Sequence, residues 1–255
     1  MTAVPAPDVQ QPDDAAVDRR PELVPLLAVG ALVVAEVVVA FGDPVAGAVL
    51  HGLLLLGLLS GWVAVGDRAF LVLALVPLGR VTSLALTPES PSAVAYVLTG
   101  GPLLLAVLWQ LWALRPERPW RPHRTTWHGV LVALSGIPLG LGVYALVDPP
   151  RAGGVPAVAA APLVFVFAGV LEELLYRGLL QPALSRTPQL TGVLLADLLF
   201  TAAYLPTRDV GLVAVMAVLG LAAGLYVRRT GGLVAVAVAH GLLAAGALAL
   251  WPVWT

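Results

Sequence analysis

About nine long apolar runs, cut apart by short clusters of proline, glycine and charge, decide what this chain can become. Crossing the hydrocarbon of a bilayer takes roughly 20 apolar residues in a helix. The runs at 23–41, 45–65, 69–87, 93–114, 129–147, 156–183, 190–206, 210–227 and 232–252 approach that length one after another. Of the 255 residues, 59% are hydrophobic and 11% charged, and the mean hydropathy is +0.93. Soluble globular domains lie far from that balance. The expectation is an all-α, polytopic transmembrane helical bundle of about 8–9 spanning helices.

The spans divide the chain. Residues 1–21, rich in Pro, Asp, Ala and Gln, bury too little apolar surface to fold and read as a flexible tail. Acids and prolines come first in that tail, which argues against a cleavable signal. A four-helix extension at 22–114 follows, then a basic, proline-rich linker at 115–128 (RPERPWRPHRTTWH), then a membrane core at 129–255. The arginines set the orientation. With a cytoplasmic N-terminus, the inner side receives Arg19, Arg20, Arg68, Arg115, Arg118, Arg121, Arg124, Arg186, Arg228 and Arg229, and the outer side only Arg151 and Arg208. This predicts a multi-pass protein of the cell membrane with its N-terminus in the cytoplasm and its linker against anionic lipid.

Other classes drop away. Net charge is -1 and the linker is the one basic stretch, so nucleic acid is not an expected partner. There is no cysteine, which removes disulfides, thiolate metal sites and cysteine nucleophiles. All 14 basic residues are arginine, a usage expected of a high-GC bacterial genome. No internal repeat is evident, which argues against a transporter built from two related halves.

Within the spans stand charges that lipid tolerates poorly: Glu36, His51 and Arg80 early, then Glu172, Glu173, Arg177, Asp197 and His240. Each costs about 2.5–3.5 kcal/mol at the bilayer centre on insertion scales, so each is a functional candidate. In VLEELLYRGLL (170–180), Glu173 and Arg177 stand at i,i+4, the spacing of a helical ion pair. Glu172 is turned about 100° away on an α-helix and has Tyr176 as its i+4 neighbour. It is the carboxylate left over, a candidate general base facing a polar cavity. The bland alternative is that both acids share one arginine as a clamp between helices. Further on, Asp197, Thr201 and Tyr204 fall on one helical face. Asp197 either pairs with an arginine, lines the cavity, or supplies an acid–base group. Glu36 or another buried acid is expected to pair with Arg80 as polar glue.

EELLYR at 172–177, followed by GLLQ, resembles the EExxxR signature of the Abi/CPBP membrane proteins, also called the type II CAAX prenyl protease family. Two further family signatures, FxxxH and HxxxN/D, have counterparts in Phe200-Thr-Ala-Ala-Tyr204 and His240-Gly-Leu-Leu-Ala244. The resemblance runs over roughly 130–250. Tyr204 stands where the family carries histidine, and Ala244 where it carries Asn or Asp.

The resemblance implies an intramembrane endopeptidase in which glutamate and histidine activate a water against a membrane-embedded or lipid-anchored, possibly CAAX-like, protein or peptide. Carried over by position, Glu172 orients or deprotonates water, Glu173 and Arg177 brace it, and His240, helped by Tyr204 or Asp197, stabilises the oxyanion. The alternative is a non-catalytic binding or regulatory protein of the same fold, for which the two departures speak. A divalent metal has weak support: Glu172 and His240 alone supply too few ligands for a closed zinc site, so Asp197 or several waters would have to help. Marks of other intramembrane proteases are missing. There is no HExxH, and Ser60-Gly61, Ser135-Gly136 and Gly66-Asp67 lack the preceding glycine of GxSG and GxGD types.

Overall fold

The computed structural model describes residues 23–85, 93–113, 127–147, 157–185 and 189–250. The tail, most of the basic linker, and Trp251 and Trp254 lie outside the described residues. Among those described there is no strand, and the helices follow the apolar runs closely. They are α1 (Leu23–Phe41), α2 (Pro44–Val65), α3 (Arg68–Ala85), α4 (Ala93–Ala113), α5 (Trp127–Val147), α6 (157–184), α7 (Gln189–Ala202), α8 (Val210–Thr230) and α9 (Leu233–Ala245, continued as a wider turn over Gly246–Leu250). Eight are long and apolar enough to cross a membrane, and α4 contributes a shorter apolar stretch, Val97–Ala113. The chain is an all-α, polytopic membrane bundle.

Local chemistry sets the helix ends. Asp43, Asp67 and Asp209 cap α2, α3 and α8, each accepting a backbone N–H of the first turn. Gly66 and Gly231, at φ 72 and φ 68, close α2 and α8 in the left-handed conformation that an L side chain resists. The outside of the bundle stays greasy: Leu27, Val63, Val65, Leu105 and Leu146 are all exposed. Such a surface is stable only against acyl chains. Trp112, just before the linker, and Trp127, near its end, are exposed too, as suits interfacial anchors.

Packing builds two sets of helices. α1, α2 and α3 pack on one another, and α1 also lies against α7 and the turn after it. In the second set α9 packs closely on α5 and on the middle of α6, while α7 pairs with α8. Lipid tails are as apolar as leucine, so association here depends on close backbone approach rather than on the hydrophobic effect. Gly169 of α6 supplies it. A β-carbon there would overlap the backbone of Gly241 in α9, so the helix next to His240 can lie directly on the helix of the two glutamates.

Candidate active site

The stretch that carries the charges is not the plain α-helix on which the 100° argument rests. Phe165–Val170 and Leu174–Leu180 are π-helical, and only Leu171–Glu173 between them is α. The N–H of Leu171 bonds the carbonyl of Val166, and that of Gln181 the carbonyl of Tyr176, each five residues back. Such wide turns concentrate at functional sites. Glu172 and Glu173 themselves lie in the short α stretch between the wide turns, and both carboxylates approach the imidazole of His240 in α9.

Glu173 is the buried member of the pair, 2% exposed. Its Oε2 lies 3.6 Å from Nε of Arg177, and its Oε1 lies 3.0 Å from Nδ1 of His240. The i,i+4 ion pair read from the sequence is present, with an imidazole added to it. A carboxylate only accepts, so Nδ1 of His240 donates to Glu173, and in the neutral imidazole Nε2 is then the acceptor nitrogen.

Glu172 takes the other position. Its side chain is 28% exposed, against 3% for Glu173. The Tyr204 hydroxyl donates to Glu172 Oε2 at 2.8 Å. His240 Nε2 lies 3.9 Å from the same oxygen, beyond a direct hydrogen bond yet close enough for one water to reach both. Glu172 of α6, Tyr204 just past the end of α7 and His240 of α9 therefore converge on one carboxylate oxygen.

Arg177 is 1% exposed. Besides Glu173 it meets Asp197, with Nη2 3.5 Å from Oδ1, and its guanidinium lies 4.3 Å from the centre of the Phe200 ring. At 3.5–3.6 Å these are charge–charge contacts rather than hydrogen bonds, helped by the aromatic face beneath. Of the readings open for Asp197, the structure shows the one in which it pairs with an arginine. Gly220 of α8 makes room: a β-carbon there would overlap Asp197 and come within 2.6 Å of Arg177 Nη2.

Phe200 packs the cluster from inside. Its ring meets those of Tyr176, Tyr204 and His240 edge to face, at 5.3, 5.3 and 5.8 Å. In the sequence, Phe200 stands out only as the first letter of a motif. The Glu173–His240 bond leaves no mark there, because nothing local links residues so far apart. Ala244 is buried in α9 and offers no polar group.

A cavity of about 270 Å³ adjoins the cluster, bounded by α5, α8 and α9 and lined by Val132, Leu139, Met216 and Leu219 together with Glu173 and His240. Its wall is otherwise almost wholly apolar. Among the described residues, no group of three or more His, Asp or Glu side chains is placed to hold a metal ion.

Residues 154–246 match the protein family described as type II CAAX prenyl endopeptidase Rce1-like. That segment is similar to the Rce1-like family. The match takes in α6 to α9 and with them Glu172, Glu173, Arg177, Asp197, Tyr204 and His240, and it leaves α1 to α5 outside. It is narrower than the 130–250 suggested by the sequence resemblance, since α5 falls beyond it. No curated protein and no solved structure matches the chain.

Proposed function

We propose that the Rce1-like core is an intramembrane endopeptidase that hydrolyses a peptide bond of a membrane-associated substrate with a water activated by Glu172. The observation that carries the reading is the 3.9 Å separation of Glu172 Oε2 from His240 Nε2, with Tyr204 bonded to the same carboxylate. A water between the two acceptors donates one proton to each and turns a lone pair towards a carbonyl carbon. As the C–O bond forms, one water proton passes to Glu172. A protonated carboxyl accepts more weakly, so the Tyr204 hydroxyl is released to donate to the oxyanion. Glu172 then gives its proton to the leaving nitrogen as the C–N bond breaks. Glu173 holds His240 in the required tautomer, and Arg177 with Asp197 holds Glu173.

The apolar cavity, which meets the cluster at Glu173 and His240, supports a substrate with an apolar segment or lipid chain near the bond cut. The test is cleavage of peptides anchored in nanodiscs by a prenyl chain, an acyl chain or a hydrophobic segment, followed by mass spectrometry. Appearance of a new carboxyl terminus from at least one of them supports the reading. Binding without cleavage, unchanged in Glu172→Gln, favours the non-catalytic alternative, which the missing histidine and Ala244 also suit.

Tyr204→Phe keeps the ring against Phe200 and removes only the hydroxyl. Loss of one oxyanion donor is expected to lower kcat by about 10²–10³-fold with the thermal midpoint nearly unchanged, and steady-state kinetics beside a melting curve check both. The proposed orientation, N-terminus in the cytoplasm, has its own test. Because the chain lacks cysteine, single cysteines placed in the 115–128 linker should react with a membrane-impermeant maleimide only in inside-out vesicles, and one beside Arg151 only in right-side-out vesicles or spheroplasts.

A further inference from the structure

Helices α1 to α3 lie outside the matched segment, yet two arginines tie them to the turn that bears Tyr204. The helix α7 ends at Ala202, and the chain turns through Ala203 and Tyr204 into a short 3₁₀ segment, Leu205–Thr207. Pro206 has no N–H, and the N–H of Thr207 goes to the carbonyl of Tyr204, so the carbonyls that end α7 lack their helical donors. Arg80 of α3 fills one of these places: its Nη2 donates to the carbonyl of Ala203 at 2.8 Å. The same guanidinium is fixed by Glu36 of α1. Arg80 Nε donates to Glu36 Oε1 at 2.9 Å, and Nη2 lies 2.8 Å from Oε2. His51 of α2, fully buried, stands 3.6 Å from the same carboxylate.

The second tie runs the opposite way. Arg208, just past the turn, donates from Nε to the carbonyl of Ala40 at 2.7 Å. Four residues after Ala40 stands Pro44, again without an N–H to give. Arg208 holds a backbone φ of 57, the left-handed region that a non-glycine residue adopts only under constraint. Residues 203–208 are thus clamped at both ends onto the N-terminal helices. Between the clamps, the Tyr204 side chain reaches Glu172.

We propose that Arg80, oriented by Glu36, is a positioning residue for Tyr204, so that α1 to α3 complete the site of the Rce1-like core instead of merely adjoining it. The part concerning turnover rests on the endopeptidase reading above; the geometric part does not. Arg80 touches no reacting atom. It fixes the carbonyl one residue before Tyr204, and with it the line along which the phenol meets Glu172.

The test uses the full chain in nanodiscs with 3-fluorotyrosine at position 204 as a fluorine NMR reporter, and a second preparation labelled at Tyr226 in α8. Arg80→Ala alone would strand a buried Glu36, so the main variant is Glu36→Leu with Arg80→Leu, which removes both charges together and keeps the volume. Arg80→Lys, which keeps the charge and loses the fork, is the milder companion. In both, the Tyr204 resonance is expected to move towards its position in Glu172→Gln, with the Tyr226 resonance unmoved. On any substrate that the wild type cleaves, kcat should fall by roughly 10–100-fold while KM changes little. An unmoved Tyr204 resonance in the double variant, or equal movement at Tyr226, overturns the proposal. A wild type without peptidase activity defeats the functional reading only, because the fluorine signal still decides the positioning role.

Discussion

Replacing Glu172 by glutamine is expected to lower turnover by about 10²–10⁴-fold, the range that a positioned general base contributes. At 1.36 kcal/mol per factor of ten this is about 3–5 kcal/mol of transition-state stabilisation. Glutamine is nearly isosteric, and its amide oxygen still accepts from the Tyr204 hydroxyl, which lies 2.8 Å from the carboxylate. Neighbouring packing is therefore retained, and KM and the thermal midpoint should move little. Glu173→Gln should behave differently. It weakens the attraction to Arg177 and the hold on His240 Nδ1 together, so stability should fall along with rate. Kinetics and melting curves on the two variants side by side separate the carboxylate that acts from the one that braces.

Arg177→Met should have the largest effect on the fold. The guanidinium is 1% exposed and is the cation placed between Glu173 and Asp197. Methionine fills most of the volume and keeps contact with Phe200, but it leaves two acids facing each other in low dielectric. Breaking one side of a buried ion pair costs about 3–5 kcal/mol, enough to remove much of the stability of an ordinary domain. Asp197→Asn, which leaves Arg177 its contact with Glu173, should cost clearly less. The double variant should be more stable than the sum of the two losses, because removing Asp197 relieves the acid that Arg177→Met strands. Resistance to denaturation in mild detergent measures all three.

About nine apolar runs were enough to place the nine helices seen among the described residues, because spanning length and backbone satisfaction leave a membrane chain few options. The Glu173–Arg177 pair and the separate course of Glu172 followed from residue spacing alone, and the Glu36–Arg80 pair from the cost of a lone charge in lipid. What escaped the sequence has physical causes. The π-helical turns on either side of Glu172 and Glu173 follow no pattern of local propensity, and the close approach of Gly169 to Gly241 joins residues distant in the chain. The bond from Glu173 to His240 joins residues 67 apart and that from Arg80 to Ala203 residues 123 apart, so neither has a periodicity to betray it. Pro206 and Pro44 did mark carbonyls in need of a donor, a signal legible only once the helix ends were known.

If a carboxylate outside the buried ion-pair chain directs a water at a carbonyl carbon, the oxygen of that water must end in the product. The first turnover of a membrane-anchored peptide in water enriched in ¹⁸O decides it. One ¹⁸O atom in the newly formed carboxyl terminus of the product, with none in the Glu172 side chain, is the result expected. Label entering Glu172 with an unlabelled first product would mean that the carboxylate itself attacks, and it would contradict the water held between Glu172 and His240.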